Sequence, residues 1–490
     1  MKYKLSGIFA FLILFVIISA ALVFTSGGKL PRFHQHLQAE EKPECSHTDD
    51  TFCTHLPLVQ IDTAGKEIPG EILTWESQSQ VTYTTAEDGS DYITASLTIT
   101  DNEGTRNHIT DSPAVSSLAQ IHVRGNSSRT FDKLGYEIRL VLENGENNPQ
   151  AVMGMDAHHE WVLHGPYLDK TLIRNYLCYN LAGEIMDYAP NVRFCEVMIN
   201  GEYRGLYLMT ETVTAGQDGA RLSLSVDKKD NTFTGYLLRL DRGSQTDIKN
   251  LDTFSMYSRR SLNRLNIVYP GTSNLTEEIR RSVELDFSAF EKTIYSYDYD
   301  STEYGYPKLI DVQNFVDYFL INELVCNYDA GLYSTYIYKD TDGKYRLCVW
   351  DFNNSCDNYQ EQSWSGDSFE LEHHLWFFML TKSDYFTDKC IERYRELRKT
   401  VLSDEYLHNY IDETIAWLGD AIDRNNARWG SSFDQELLYP TQRNIHSYEE
   451  AVTQLKDFLD HRTAWMDENI ETLRQYSTES KIKKYSEGTE

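Results

Sequence analysis

Apolar and polar positions alternate with two different periods along this chain, and these periods predict strands first and helices later. The segments "PLVQIDT" and "SDYITASLTITDNEG" place apolar residues at alternate positions, as half-buried strands do. "AQIHVRGNSSRTFDKLGYEIRL" has the pattern of a strand, a polar turn and a second strand. In "RFCEVMINGEYRGLYLMTETV", two apolar runs are joined by Asn200-Gly201, a pair typical of tight β-hairpins.

Helical periodicity begins in "DKTLIRNYLCYNLAGEIM", where apolar residues recur at three- and four-residue steps and Asp169 can cap the first turn. "DVQNFVDYFLINELVCN" predicts an amphipathic helix, and the pattern from Glu370 to about Tyr476 is mostly helical. Together these elements predict one α+β body with a mixed or antiparallel sheet and a mainly helical C-terminal half.

The first 28 residues predict a transmembrane helix. From Gly7 to Thr25 the chain is uncharged and almost wholly apolar, which is about the length that spans a bilayer. The apolar core of a secretory signal is shorter and precedes a small-residue cleavage site, and no clean site of that kind follows here. We therefore predict an anchor over residues 1–28, with a cleaved signal segment as the alternative.

The flanking lysines favour a cytoplasmic N terminus and an extracytoplasmic body, because Lys2 and Lys4 precede the apolar segment and Lys29 follows it. The pattern beyond the anchor predicts a linker over residues 29–55, a folded body over 56–476 and a disordered tail over 477–490. We thus expect a single-pass protein of the cell membrane.

Composition limits what this body can bind. The 490-residue chain is 41% hydrophobic, enough for a sizeable core, and its formal net charge is −29. An acidic surface repels phosphates, so we expect no nucleic-acid partner. None of the eight cysteines lies in a C-x-x-C pair, which argues against a zinc ribbon. In an exported protein Cys45 and Cys53 could close a small disulfide loop, whereas buried free thiols are at least as good an interpretation of the other six.

Two carboxylates flank a predicted hairpin and suggest a metal site. The strand-like runs "STYIYK" and "KYRLCVW" surround a turn at Asp342-Gly343, with Asp329 before the first run and Asp351 after the second. A hairpin brings its open end together, and paired carboxylates can hold Mg²⁺ that is shared with substrate phosphates. Capping or turn residues without a metal are the alternative interpretation.

The order helix, loop, hairpin, Asp is also that of a protein-kinase active site, where a loop Asp orients the attacking hydroxyl and a later Asp holds Mg²⁺. Ser334 lies five positions after Asp329, at the offset of a second metal contact in kinases. Asp351 precedes Phe352, but Asn353 stands where glycine would complete the kinase D-F-G motif.

A second candidate region lies in "HVRGNSSRTFDK", where a glycine with Ser127 and Ser128 can present backbone N–H groups to phosphate. Lys133 lies near the start of the next strand and could reach a phosphate, and Glu211 could pair with it. An ordinary polar turn and a solvated strand-end glutamate are the alternatives. For Lys170 and Arg174, surface ion pairing is the simplest prediction.

The chain resembles the spore coat protein H (CotH) kinase family over about residues 55–475. The matching stretches occur in the family's order: "VRGNSSRTFDKLGYEIRL", "WVLHGPYLDKTLIRNYL", "VMINGEYRGLYLMTETV", "GYLLRLDR", "FLINELVCNYDAGLYSTYIYKDTDGKYRLCVWDFN" and "LKDFLDHRTAWMDENI". A single motif of this kind is weak, whereas the ordered set is specific.

This resemblance implies an atypical protein-kinase-like fold that transfers the γ-phosphoryl group of ATP to Ser or Thr of surface or spore-coat proteins, with Mg²⁺ or Mn²⁺. By motif position, Asp351 corresponds to the metal ligand and Asp329 to the aspartate near the acceptor hydroxyl. The same correspondence by motif position implies that Lys133, Arg124, Ser127 and Ser128 contact phosphate, with Glu211 as a weaker correspondence.

Asn353 departs from the family pattern, which often has a second Asp at this position and reads W-D-F-D or W-D-x-D. A neutral amide can still ligate a metal but adds no charge. Together with the predicted anchor, the resemblance therefore implies a membrane-anchored, spore-associated kinase whose metal site lacks the charge of a second aspartate. Two alternatives stay open: a surface binding or scaffold protein that retains the fold, and a carboxylate-pair hydrolase of surface glycans.

Overall fold

The computed structural model describes residues 31–37, 45, 52–77, 80–102, 104–216, 221–224, 226–227, 232–233, 235–243, 247–254, 263–339 and 343–478. The predicted membrane anchor lies outside these ranges, as does nearly all of the predicted tail. Within them, no helix has the length and apolar character needed to cross a bilayer.

The strands of the described chain are β1 (Cys53–Thr54), β2 (Leu58–Asp62), β3 (Ile72–Ser77), β4 (Gln80–Tyr83), β5 (Ile93–Thr100), β6 (Asn107–His108), β7 (Val115–Arg124), β8 (Gly135–Val141), β9 (Gln150–Val152), β10 (Met155–His158), β11 (Glu160–His164), β12 (Val192–Ile199), β13 (Glu202–Glu211), β14 (Ala215–Gly216), β15 (Leu222–Ser223), β16 (Val226–Asp227), β17 (Thr232–Phe233), β18 (Tyr236–Arg242), β19 (Asn263–Tyr269), β20 (Thr335–Lys339) and β21 (Tyr345–Cys348).

The α-helices are α1 (Arg174–Ile185), α2 (Glu277–Ile294), α3 (Tyr306–Leu309), α4 (Val312–Leu324), α5 (Phe377–Leu380), α6 (Asp384–Leu397), α7 (Asp404–Leu418), α8 (Asp420–Trp429), α9 (Tyr448–Asn469) and α10 (Arg474–Ser477). Short 3₁₀ helices lie at Gln35–Leu37, Ser127–Thr130, Leu371–His373, Gly430–Asp434, Thr441–Arg443 and Ile470–Leu473.

Seven strands close into a barrel in the order β11-β13-β12-β2-β5-β7-β8. Closure comes from the antiparallel pairing of β11 with β8, and β2 runs parallel to β12. Alternate residues of β12 enter two different cores: Cys195 and Val197 pack inside the barrel, whereas Val192 and Phe194 face the helices. The barrel is thus filled by side chains and joined to the helical half along one wall.

The Asn200-Gly201 hairpin prediction is confirmed by the pairing of β12 with β13, in which Ile199 lies opposite Glu202. Both turn residues have positive φ, 52° at Asn200 and 78° at Gly201. Asparagine and glycine are the residues that accept this conformation most readily, which is why the pair forms a two-residue turn.

A four-stranded sheet in the order β19-β18-β20-β21 lies outside the barrel and contains the predicted hairpin that Asp329 and Asp351 flank. Strands β20 and β21 pair antiparallel from Tyr336 with Cys348 to Lys339 with Tyr345. Asp342 of the predicted turn lies outside the described residues, while Gly343 has a φ of 82°.

The α+β prediction with a helical C-terminal half is confirmed, since α5 to α10 follow the last strand. The amphipathic character predicted for α4 is wrong. From Asn314 to Leu324 every residue of this helix is buried, including Asp317 and Glu323. Helix α1 is likewise enclosed on nearly all sides. These two helices form the centre of the large core rather than a surface layer.

Part of the segment predicted as a linker packs into the body. His34 bonds to Tyr410 through Nδ1 at 3.0 Å, and the Nδ1 atom of His36 lies 2.9 Å from the Tyr176 hydroxyl. Both imidazoles are only 6% exposed. Burial, which is the largest cause, and the nearby His34 lower the pKa of His36 to about 4, so its ring stays neutral.

Candidate active site

A cleft of about 910 Å³ lies where the barrel meets the second sheet and the loops that follow α4 and β21. This volume is within the usual range for ligand sites. Seven of the residues singled out in the sequence line it: Arg124, Ser127, Ser128, Asp329, Ser334, Asp351 and Asn353. Lys133 and Glu211 are not among its lining residues.

Asp329 follows α4 and carries a carboxylate with one unsatisfied oxygen. Its Oδ2 accepts a hydrogen bond from Nδ2 of Asn354 at 3.0 Å. Its Oδ1 is buried and has no hydrogen-bond partner among the described residues. Burial first, and then the negative charge of Asp351, raise the pKa of Asp329 to about 7. The group is therefore close to half-protonated at neutral pH, which suits a proton acceptor.

Asp351 sits in a strained backbone conformation directly after the second sheet. Its φ is 61°, in the left-handed region that costs a non-glycine residue about 1 kcal/mol or more. The Tyr179 hydroxyl accepts its backbone N–H at 2.9 Å. Its Oδ1 accepts the backbone N–H of Asn353 at 3.1 Å. These contacts aim the carboxylate into the cleft, and strain of this kind is common at functional sites.

Asn175, in the first turn of α1, holds the segment that follows Asp351. Its Oδ1 accepts the backbone N–H of Phe352 at 3.0 Å, so its amide nitrogen must be the donor in its other contacts. That nitrogen lies 2.6 Å from Oδ1 of Asn353 and 2.9 Å from Nε2 of His164. One buried amide thus fixes three groups around the carboxylate.

His164 is neutral in this network. Because Asn175 donates to its Nε2, that nitrogen is an acceptor and the ring proton lies on Nδ1. Burial lowers the pKa of His164 to about 4, against a smaller opposing effect of Asp351. The imidazole therefore adds no positive charge beside Asp351 at neutral pH.

Positive charge in the cleft comes from arginines. Arg124, at the end of β7, lies over the Trp350 ring at 5.7 Å. Arg242, at the end of β18, lies 3.6 Å from the centre of the Tyr333 ring. Its positive charge offsets part of the rise in the pKa of Asp329. Arg129 and Arg239 also line the cleft. Stacked guanidinium groups can bind phosphate oxygens with two N–H groups at once.

The loop after β7 needs glycine at position 125. Its φ is 110°, and a Cβ there would collide with Oγ of Ser128. Its carbonyl accepts the Nε–H of Arg129 at 2.6 Å. A 3₁₀ turn at Ser127–Thr130 follows. The predicted phosphate loop is therefore a compact turn that faces the cleft, with Ser127 and Ser128 in its lining.

Lys133 does not face the cleft. Its Nζ donates to the Leu206 carbonyl at 2.6 Å and to Oδ1 of Asn425 at 2.7 Å. The side chain is 1% exposed, and burial holds its pKa well below the usual lysine value. Its Nζ atom joins the barrel to α8, because Asn425 also accepts the backbone N–H of Leu206.

Glu211 does not pair with Lys133 either. Its Oε1 lies 3.4 Å from Nε of Arg221, and both side chains are buried. Its other oxygen accepts the backbone N–H of Asn191 at 2.9 Å. Glu211 therefore ties the end of β13 to the start of β12, and the expected pairing with Lys133 is replaced by an ion pair with Arg221.

Arg174 and Lys170 are also buried, contrary to the predicted surface ion pairing. Nη1 of Arg174 and Oδ1 of Asp169 lie 2.5 Å apart, with side chains 1% and 2% exposed. Oδ2 of Asp169 accepts the backbone N–H of Arg174, the first residue of α1, at 2.9 Å, although the residue at the N-cap position is Ile173. The Nζ of Lys170 has no hydrogen-bond partner in the described chain, and burial lowers its pKa to about 8.

Sequence reasoning missed Arg239, Asp241, Arg242, Asn354 and Asn175. A signal for the first two existed in "GYLLRLDRG", where charged residues alternate with buried leucines and so share one face of the strand. Asn175 gave no such signal, because a polar residue near a helix start is common. Its function depends on contact with residues almost 180 positions away.

The protein has an α+β fold. Among the cavities that the described residues form, one cleft combines both flanking carboxylates with several arginines. The family model described as CotH kinase protein matches residues 121–466, which is more than half of the chain. The chain therefore belongs to the CotH kinase family.

A relative described as inner spore coat protein H of Bacillus subtilis (strain 168) is 23% identical over 324 residues. The match covers 61% of this chain and 84% of the relative. Every cleft residue named above, from Arg124 to Asn354, lies inside the family match.

Proposed function

We propose that this protein is an atypical protein kinase that transfers the γ-phosphoryl group of ATP to a Ser or Thr hydroxyl of a surface or spore-coat protein. The observation that carries the proposal is the pairing of two unlike carboxylates in one arginine-lined cleft. Asp329 is buried with a free oxygen and a pKa of about 7, and Asp351 is fixed by backbone strain and hydrogen bonds.

In this proposal Asp329 orients the acceptor hydroxyl and takes up its proton. A carboxyl group with a pKa near 7 combines a useful deprotonated fraction with enough basicity to attract a hydroxyl proton. Its unsatisfied Oδ1 is the atom available for that hydrogen bond. Asn354 holds the other oxygen and so restricts rotation of the carboxylate.

The residues near Asp351 fit a hard divalent cation. Carboxylate and amide oxygens are the donors that Mg²⁺ and Mn²⁺ prefer, and Asp351, Asn353 and Ser334 offer oxygen atoms along the cleft. Such an ion, when bound, neutralises phosphate charge during phosphoryl transfer. Asn353 Oδ1 already accepts one hydrogen bond from Asn175, which leaves a second lone pair for a ligand.

Arginines take the phosphate-binding role first considered for Lys133. Arg124 and Arg242 both line the cleft, from the end of β7 in the barrel and the end of β18 in the second sheet. Each is supported by an aromatic ring, so less side-chain freedom is lost on binding. Ser127, Ser128 and the turn around them complete the proposed phosphate-binding edge.

The spore-coat description of the relative supports a spore-associated location for this protein. Anchoring to the cell membrane remains a prediction from residues 1–28. Membership of the family supports a protein hydroxyl as the proposed acceptor.

The proposal is tested by label transfer from γ-labelled ATP with Mn²⁺ or Mg²⁺, using the full chain in detergent and a general acceptor protein. We expect Asp329→Ala and Asp351→Ala to abolish incorporation. Asp88→Ala, at an exposed turn outside the cleft, serves as the matched control and should transfer normally. Full activity in both cleft variants contradicts the proposal.

A second candidate function is nucleotide-independent binding by a catalytically weak scaffold. The observation in its favour is Asn353, which adds no charge to the site and whose amide oxygen is engaged by Asn175. Failure of the wild-type chain to bind ATP with any divalent metal would favour this scaffold over the kinase.

A further inference from the structure

A cluster of two cysteines and a histidine lies outside the cleft, where the N-terminal part of the body meets β6. The Sγ atoms of Cys45 and Cys53 and a ring nitrogen of His108 all lie within 4.8 Å of one another. The distance from Cys45 Sγ to His108 Nε2 is 3.1 Å. All three side chains are half-buried, and none of them lines the cleft.

Strand pairing brings two of the three residues of this cluster together. In the antiparallel pair of β1 with β6, Cys53 lies directly opposite His108. Facing positions on an antiparallel pair have their Cβ atoms about 5 Å apart, so both side chains can reach one ion. Cys45 completes the group from the segment that precedes β1.

The surroundings of His108 orient its Nε2 towards the cysteines. Oδ2 of Asp111 lies 3.2 Å from its Nδ1 and accepts its backbone N–H at 2.9 Å. Asn102 donates to the same carboxylate oxygen at 2.9 Å. With Nδ1 held by a carboxylate, the proton lies on that nitrogen and the Nε2 lone pair faces Sγ of Cys45, which is the orientation found in carboxylate–histidine–zinc arrangements.

Arg106 also contacts the cluster, because its Nε donates to Sγ of Cys53 at 2.9 Å. Burial, which is the largest cause, and the neighbouring Cys45 nevertheless raise the pKa of the Cys53 thiol, so a bound ion would have to displace the thiol proton. Metal binding at this cluster would release the protons of both thiols.

We propose that Cys45, Cys53 and His108 form a site for a thiophilic divalent cation of the zinc class. Two thiolates and one imidazole are ligands that zinc prefers over the oxygen-seeking Mg²⁺ and Mn²⁺. The ion would join the segment at Cys45 to β1 and β6, and so would contribute to folding. This site is separate from the phosphoryl-transfer cleft in both ligand chemistry and position.

The competing outcome is a disulfide between Cys45 and Cys53. The two cysteines are not joined by a disulfide in this structure. A disulfide would use the two sulfurs that the metal needs and would leave His108, Asp111 and Arg106 without a common function. A bound metal accounts for the arrangement of all five side chains, whereas a disulfide accounts only for that of the two cysteines.

The proposal is tested on the full chain, purified in detergent without chelators, by measuring bound zinc and by cobalt substitution. We expect about one zinc ion per chain, and a thiolate-to-cobalt charge-transfer band after exchange. Cys45→Ser, Cys53→Ser and His108→Gln should each lose the ion. Asp111→Asn keeps all three ligands and should weaken zinc binding 10–100-fold.

Two controls separate this site from others. His408→Gln removes a histidine that also contacts a carboxylate, Asp460, but has no cysteine in its cluster, and it should leave zinc binding unchanged. Asp351→Ala should leave the cobalt band unchanged as well. Absence of zinc with no cobalt band, or recovery of Cys45 and Cys53 as a disulfide by mass spectrometry, overturns the proposal.

Discussion

At the scale of single residues, the protonation of Asp329 links the stability of the fold to the proposed role of this residue in phosphoryl transfer. Its pKa in the folded protein is about 7, above the value near 4 of an unfolded aspartate. Below pH 4 the carboxyl is protonated in both the folded and the unfolded state, so it does not change the free energy of unfolding. Between about pH 4 and pH 7 the unfolded state loses its proton first, so folding stability falls by up to about 4 kcal/mol as pH rises.

Replacing Asp329 with asparagine should therefore raise stability while it lowers activity. At pH 8 we expect Asp329→Asn to increase the free energy of unfolding by about 1–4 kcal/mol, with the gain vanishing near pH 4. Label transfer should fall at least about 100-fold. Urea titrations at the two pH values and initial rates check this. A variant that is less stable than wild type at pH 8 contradicts the buried, raised-pKa description.

Asn353 is the residue where this chain departs from the pattern expected for the family, and a negative charge at this position should strengthen the proposed metal site. An aspartate at 353 can still accept the hydrogen bond from Asn175, because Oδ1 of Asn353 is the acceptor now. We expect Asn353→Asp to lower the Mn²⁺ concentration for half-maximal transfer by about tenfold, equivalent to about 1.4 kcal/mol. Asn147→Asp is the control, because Asn147 is exposed, lies outside the cleft lining and likewise accepts a hydrogen bond through Oδ1. An unchanged metal requirement would argue against a metal ligand at position 353.

At the scale of elements, the turn after β7 gives a direct test of the proposed phosphate-binding edge. Gly125→Ala introduces both backbone strain and a collision with Ser128, at a cost of about 1–3 kcal/mol. Gly145→Ala is a matched control, because Gly145 also has positive φ but has open space around it. Both variants should lose stability, and only Gly125→Ala should weaken ATP binding. Equal nucleotide affinities would exclude this turn from the site.

Local elements could be predicted from the sequence where one residue pair or one period decides the structure. The β12–β13 turn follows from the conformational freedom of Asn200 and Gly201, and the hairpin between Asp329 and Asp351 follows from alternation. Barrel closure could not be predicted, because it depends on pairing between distant strands. Leu58, for example, pairs in parallel with Glu196.

Residues of the candidate site could likewise be predicted only where a local pattern determines their position. The hairpin brings Asp329 and Asp351 to one end, so local pattern was sufficient for these two. Lys133 was misplaced because its direction depends on Asn425, 292 positions away. Arg242 entered the cleft because β18 pairs with β20, a contact that no local pattern contains.

At the scale of the whole molecule, one buried ion pair braces the segment that carries Asp329. Nη2 of Arg462 in α9 lies 3.0 Å from Oε2 of Glu323 near the end of α4, with side chains 0% and 1% exposed. The same guanidinium donates to the carbonyls of Gly366 and Ser368. It thus joins α9, α4 and the loop before the Leu371–His373 turn.

Removing this brace should destabilise the fold strongly. We expect Arg462→Ala to lower the free energy of unfolding by about 3–5 kcal/mol, because it leaves Glu323 buried without its cation. Arg474→Ala breaks an exposed pair with Asp388 and should cost at most about 1 kcal/mol. The double variant with Glu323→Gln and Arg462→Met should recover part of the lost stability. Chemical denaturation of the wild-type chain and these three variants measures the differences. Equal losses for Arg462→Ala and Arg474→Ala would contradict a stabilising role of the buried ion pair.

The central claim is that Asp351 and Asp329 perform different tasks in one nucleotide site. The most direct measurement is calorimetric binding of ATP in the presence of Mn²⁺ to the wild-type chain, Asp351→Ala and Asp329→Ala. We predict that Asp351→Ala loses metal-dependent binding, whereas Asp329→Ala binds within about threefold of wild type although it transfers no phosphate. Equal loss in both variants, or no metal-dependent binding by the wild-type chain, would contradict the account.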